Sequence, residues 1–127
     1  MAEQSEPTRY ERGLAKAAEL GGKADQQDLD SVGDLGRYLV EFVFGDIYSR
    51  TGMSLREREV ITVAILTALG GRELQLRVHM KAALHLGITA KELKEIVLQT
   101  VPYAGFPTAI NAMMILSHLD DEVSSKK

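Results

Sequence analysis

The order of apolar and polar positions along the chain predicts helices and almost nothing else. Period-two alternation is absent, and the valines and isoleucines fall in patterns that repeat every three to four residues. Six helices are expected. The first runs from about Pro7 to Leu20, with Pro7 in its first turn, Gly13 weakening a thin apolar stripe, and Gly21-Gly22 as its stop. Residues 22–30 are polar and read as a loop. The second helix spans about Ser31 to Tyr48, with Leu35, Leu39, Phe42 and Val43 on one face. Its glycines, Gly33, Gly36 and Gly45, each cost up to ~1 kcal/mol against alanine. A turn at Thr51-Gly52 follows, and Ser54 and Glu57 then form a capping box that opens a third helix. From Val60 to Leu69 this helix is apolar nearly all the way round, which places it centrally in a core or between subunits.

Gly70-Gly71 ends the third helix, and a fourth runs from about Arg72 to Leu86, stopping at Gly87. Thr89 and Glu92 form a second capping box, opening a fifth helix to about Thr100 that Pro102 closes. A loop from Pro102 to Phe106 leads to a sixth helix, from Pro107 to near Leu119, and a frayed polar tail. The expectation is an all-α fold: one domain over residues 1–127 with its core at about 32–119. The short loops pair the third helix antiparallel with the fourth, and the fifth with the sixth. Met113, Met114, Ile115 and Leu116 in succession cannot all face one core, so this surplus of apolar surface predicts assembly into oligomers.

Against so apolar a background the few polar residues stand out. Glu59 lies one turn after Leu55 and one turn before Val63, on a face that desolvates it. It is either half of a structural ion pair, with Arg56, Arg58 or an arginine of the fourth helix, or a proton-transfer group. His79 shares its face with Gln75, Leu76, Ala82, Ala83 and Leu86. It is either a satisfied core histidine or the partner of Glu59 in an acid/base pair across the helical hairpin. Gln75, one turn before His79, either orients it or a substrate carboxylate, or satisfies a buried contact. Tyr103 and Phe106 sit at a corner between helices, where they either bind a ligand or plug the end of the bundle. His85 and His118 fall in the last turns of their helices, where the helix dipole favours them.

Composition narrows the chemistry. The chain has 127 residues, a formal net charge of -3 and no cysteine, so disulfides, thiolate metal sites and thiol redox chemistry are excluded. No basic stripe with interleaved aromatics is present, so nucleic acid is not an expected partner. No apolar run reaches the ~18 residues of a membrane span, and the first residues do not form a signal peptide, so a cytoplasmic protein is expected. His79 and His85 are six apart, on different faces, and no H-E-x-x-H occurs, so no metal is expected. There is no glycine-rich phosphate cradle, and no serine in an elbow motif to support nucleophilic catalysis.

Taken together, S-L-R-E-R-E, the alanine-rich helix after it, L-R-V-H-M-K-A-A-L-H-L-G-I-T-A-K-E-L-K-E and Y-A-G-F-P-T-A-I-N-A resemble the carboxymuconolactone decarboxylase family, as does the upstream run EFVFGDIYSR. The resemblance covers about Val32 to Leu119. It implies an all-α bundle assembled as a homotrimer or homohexamer. It also implies one of two activities: cofactor-free removal of CO2 from γ-carboxymuconolactone, or the thiol peroxidase chemistry of the alkylhydroperoxidase D branch. In that branch's C-x-x-C-x-x-x-H motif the histidine falls on His79 and the cysteines on Arg72 and Gln75, so the peroxidase activity does not carry over. The motif glutamate falls on Glu59. What remains is a lyase acting on a small acidic lactone or β-keto acid. In it His79 would polarise the enolate oxygen or deliver the proton, and Glu59 would set the state of His79 or act as the acid. Gln75 and Tyr103 would orient the substrate, and Arg58 or Arg72 would hold a carboxylate. The alternative is a small-ligand-binding or structural oligomeric module on the same scaffold.

Overall fold

The structure is a computed structural model that describes residues 5–22 and 26–125; all regular structure among them is helical. The chain divides into two compact units, Met1–Met53 and Ser54–Lys127.

In the first unit α1, Arg9–Glu19, is capped by Thr8, whose hydroxyl accepts from the Glu11 N–H at 3.1 Å. Pro7 therefore lies before the helix and not in its first turn. The single helix expected from Ser31 to Tyr48 is instead built in pieces. Helix α2, Gln26–Ser31, occupies part of the stretch read as a loop, and the Ser31 hydroxyl closes it by donating to the Asp28 carbonyl at 2.6 Å. Residues 23–25 of that expected loop lie outside the described residues. A turn at Val32-Gly33 separates α2 from α3, Asp34–Leu39, which runs on into a π-helical segment, Val40–Ile47.

That wider winding decides what meets α1. Bonds from i to i+5 stack residues five apart, whereas an α-helix would turn them about 140° from each other. Val40 and Gly45 are five apart, and both lie against α1. A Cβ on Gly45 would come 2.5 Å from the Arg9 carbonyl oxygen, and one on Gly13 would fall inside the envelope of the Val40 carbonyl. Asp46, next in sequence, accepts from the Arg9 guanidinium at 2.6 Å and from Arg12 at 3.2 Å, while Arg12 also donates to the Gly45 carbonyl at 2.7 Å. The Arg9 hydrogen bond, with Arg12 adding to it, holds the Asp46 carboxyl below its ordinary value of 3.8. A folded value below the unfolded one means that the contribution is present above about pH 4 and is lost as pH falls through the lowered value. Acid titration should therefore loosen the contact of α1 with the π-helical segment modestly below about pH 4, without detaching it, because the packing at Gly13 and Gly45 and the Arg12–Gly45 hydrogen bond do not titrate. Backbone amide exchange in α1 checks this, and Asp46→Asn should remove the pH dependence.

The second unit is four helices: α4, Leu55–Leu69; α5, Glu73–His85; α6, Ala90–Ala104; and α7, Phe106–Ser125. The expected capping box is present in full, with the Ser54 hydroxyl accepting from the Glu57 N–H at 3.1 Å and the Glu57 carboxylate accepting from the Ser54 N–H at 3.2 Å. The second box is formed by half. Thr89 accepts from the Glu92 N–H at 3.0 Å, but the Glu92 carboxylate is engaged by Arg56 of α4. Helix α4 packs on α5 and α6, α6 on α7, and α7 also on α5 and α4. Val63, Leu76, Met80, Leu93, Val97, Ala112 and Leu116 fill the centre. Each fully buried aliphatic side chain contributes roughly 1.5–3 kcal/mol.

Two expected boundaries moved. Pro102 does not close α6, which continues to Ala104. A proline near the end of an established helix gives up one backbone bond while its fixed φ still suits the helix. The stop is Gly105, whose φ of 91° suits glycine and whose N–H reaches the Val101 carbonyl at 2.9 Å. The expected loop from Pro102 to Phe106 is therefore a one-residue corner. At the far end α7 continues beyond Leu119, and Arg77 of α5 donates to Glu122 at 2.6 Å. His118 is consequently an exposed mid-helix residue and not a last-turn one. Leu116 is fully buried while Met114 of the same run is 56% exposed, as the crowding of four successive apolar residues requires.

Candidate functional site

The chemistry collects where α4 faces α5. The face of α4 that points into the core is Glu59, Val63 and Thr67, spaced one turn apart, and all three are buried. Glu59 has no exposed surface at all. An ionised carboxylate in that position costs several kcal/mol of desolvation unless it is paired, roughly speaking. Its partner is His79 of α5, whose Nδ1 lies 3.1 Å from one carboxylate oxygen and 3.3 Å from the other. With Glu59 as a carboxylate, which only accepts, Nδ1 is the donor of this bond. This fixes the ring and leaves Nε2 as the edge that can exchange a proton. The His79 side chain is 20% exposed. One member of the pair is thus sealed in the core and the other reaches the surface of the unit, which is the arrangement of an imidazole oriented from behind by an acid.

The other expected residues are not gathered around this pair. Gln75 is exposed and does not lie within the apolar stripe. It stays one turn before His79, because the two are four apart on α5. Arg72, a further turn back, is the exposed N-cap residue of α5 and donates to the Gly70 carbonyl at 2.9 Å. Arg72, Gln75 and His79 therefore form a polar stripe on one face of α5. Arg58, half-buried on α4, is the neighbour of Glu59 in sequence and so points about 100° away from it. Tyr103 is 86% exposed on α6 and lines a different feature, an apolar groove of about 590 Å³ between α4 and α6. Val60, Ala64 and Ala68 form one wall of this groove and Ile96, Thr100 and Ala104 the other, and neither Glu59 nor His79 lines it. The sequence reading missed the groove, although its signal is visible: two triplets of residues four apart, with small side chains at Ala64, Ala68 and Ala104. Among the described residues no group of three or more histidine, aspartate or glutamate side chains could hold a metal ion, and no helix is long and apolar enough to cross a membrane.

Comparison with known proteins bears on the same residues. The family model described as the carboxymuconolactone decarboxylase family matches residues 33–117, a span that contains Arg58, Glu59, Arg72, Gln75, His79 and Tyr103. The chain is 38% identical over 120 residues to 4-carboxymuconolactone decarboxylase of Acinetobacter baylyi, an alignment covering 91% of this chain and 86% of that protein. It is 27% identical over 89 residues to nitrosuccinic acid decarboxylase of Metarhizium robertsii, covering 69% of this chain and 61% of that one. It is also 31% identical over 78 residues to an uncharacterized 15.0 kDa protein of Paracoccus denitrificans, covering 61% and 58%.

Proposed function

This chain belongs to the carboxymuconolactone decarboxylase family, and from that premise we propose that it is a carboxy-lyase using the Glu59–His79 pair to handle the proton of the reaction. The observation that carries the reading is the geometry of that pair: a fully buried carboxyl group 3.1 Å from Nδ1 of a histidine whose side chain is 20% exposed. Both decarboxylases among the relatives are named for acids that also carry an electron-withdrawing group, a lactone in one and a nitro group in the other. That common chemistry supports a carboxylic acid with such a group as the substrate class, with γ-carboxymuconolactone as the compound to try first.

In the proposed reaction the bond between the ring carbon and its carboxylate breaks and CO2 leaves. The electron pair moves through the conjugated ring into the lactone carbonyl oxygen, so the substrate is its own electron sink. A proton is then added to a ring carbon, giving the enol-lactone. His79 Nε2 serves the charge that develops on oxygen or supplies the proton, and Glu59 holds the ring in the tautomer that does so. Gln75 and Arg72, on the same face of α5, orient the substrate and hold its second carboxylate. Arg58 and Tyr103 have weaker support as binding groups, since Tyr103 lines the groove and not the pair. CO2 release from γ-carboxymuconolactone tests the reading; absence of turnover would remove this substrate. A small-ligand-binding module is the second reading, favoured by the apolar groove lying apart from the pair, and it predicts ligand affinity at the groove without turnover.

We propose in addition that the chain assembles as a homotrimer or homohexamer. Ile61, Ile65 and Leu69 of α4 and Ile110 and Met114 of α7 are all exposed, the last four by more than half. That is more apolar surface than isolated side chains on a monomer account for. Light scattering coupled to size exclusion should return three or six times the chain mass of 14.0 kDa; a monomer would overturn the assembly.

A further inference from the structure

Helical threonines usually return their hydroxyl to a backbone carbonyl of the preceding turn. Thr62 does so, donating to the Arg58 carbonyl at 2.8 Å, and Thr100 donates to the Val97 carbonyl at 2.7 Å. Thr67 and Thr108 depart from this pattern. Both hydroxyl oxygens are buried, and neither has a hydrogen-bond partner within the protein. Thr67 is 1% exposed. An unpaired buried hydroxyl costs about 1–3 kcal/mol, so one such group calls for an explanation and two at the same place call for a common one. They do share a place. Thr67, near the end of α4, and Thr108, in the first turn of α7, line one small cavity, together with Asn111 one turn further along α7.

The size of the cavity decides what it can hold. Traced by the centre of a water molecule it measures about 10 Å³, close to the ~10–15 Å³ that a single water needs. A carboxylate or phosphate does not fit a space of that size, and the lining carries one charge of each sign, Arg72 and Glu73. We propose that one ordered water is bound here, bridging Thr67 Oγ1 and Thr108 Oγ1, with the Asn111 amide as its third partner. Three hydrogen bonds is the usual number for a buried water. The bridge ties the end of α4 to the start of α7, beside the first turn of α5.

Valine is nearly isosteric with threonine, so the sign of its effect discriminates. If the cavity is dry, Thr67→Val and Thr108→Val each delete an unpaired hydroxyl and should raise the melting midpoint. If the water is bound, each deletes one of its anchors and should lower the midpoint by about 4 °C. The double variant should then lose less than the sum, because the second change finds the bridge already broken. Independently of folding in any variant, solution NMR of the native chain should show an Overhauser effect between a long-lived water and the Thr108 methyl group. Thr67→Ser, which keeps the hydroxyl, should retain that signal, and the double valine variant should lose it. A raised midpoint in either single variant, or a native protein without the Overhauser effect, would overturn the proposal.

Discussion

His79→Ala should reduce decarboxylation about a hundredfold to ten-thousandfold, the range spanned by positioned acid–base groups. That corresponds to about 3–5 kcal/mol of transition-state stabilisation. The argument rests on what alanine removes: the one member of the pair with any exposed surface, since Glu59 has none. Glu59→Gln is the sharper test, because its shape is almost unchanged. A carboxylate can only accept from Nδ1, so it dictates the tautomer; an amide offers an acceptor and a donor, so it does not. Turnover should therefore fall substantially in Glu59→Gln while the helical content and melting midpoint stay near those of the unmodified protein. A purely structural pair predicts the opposite pattern, with stability lost and the rate per folded molecule kept. Full turnover in His79→Ala would falsify the proton-handling role.

Gly13→Ala should destabilise the first unit by about 1–3 kcal/mol, the usual cost of overpacking. Two effects compete at this position. Alanine is the better helix former by up to about 1 kcal/mol, and α1 should gain from it. Against that, the new Cβ would enter the envelope of the Val40 carbonyl and stand 2.8 Å from Val40 Cγ1. A backbone carbonyl cannot swing aside as a side chain can, so α1 and the π-helical segment must separate, which also pulls Arg9 and Arg12 from Asp46. The steric term wins. Urea titration followed by amide exchange in α1 measures it, and an unchanged or raised stability would show that the two helices part at little cost.

Much of the second unit was legible in the sequence because its signals are local. A capping box at Ser54 and Glu57, glycine stops after Leu69 and Leu86, and a threonine cap at Thr89 act within one helical turn, and each lies where expected. The pairing of Glu59 with His79 was also within reach. Two polar residues on the apolar faces of helices joined by a short loop have few other partners, and the family resemblance named the same two positions. Pro102 misled because a proline's effect depends on where in the helix it falls. Gln75 misled because its neighbours on the wheel are aliphatic, while the exposure of that edge of α5 depends on which helices pack beside it.

By itself, then, the sequence determined the helical class, most of the boundaries between residues 54 and 119 and the two residues of the buried pair. These follow from hydrophobic period, caps and composition, which need no knowledge of what lies across the core. Only the tertiary structure decided the rest. It set the π-helical winding that stacks Val40 on Gly45, the close approach that makes Gly13 a packing residue, the groove between α4 and α6 that Tyr103 lines and His79 does not, and the two threonines with buried, unpartnered hydroxyls that line one cavity. Each of these is a distance between atoms far apart in sequence. Such distances are set by the packing of whole helices, and no pattern along one helix contains them.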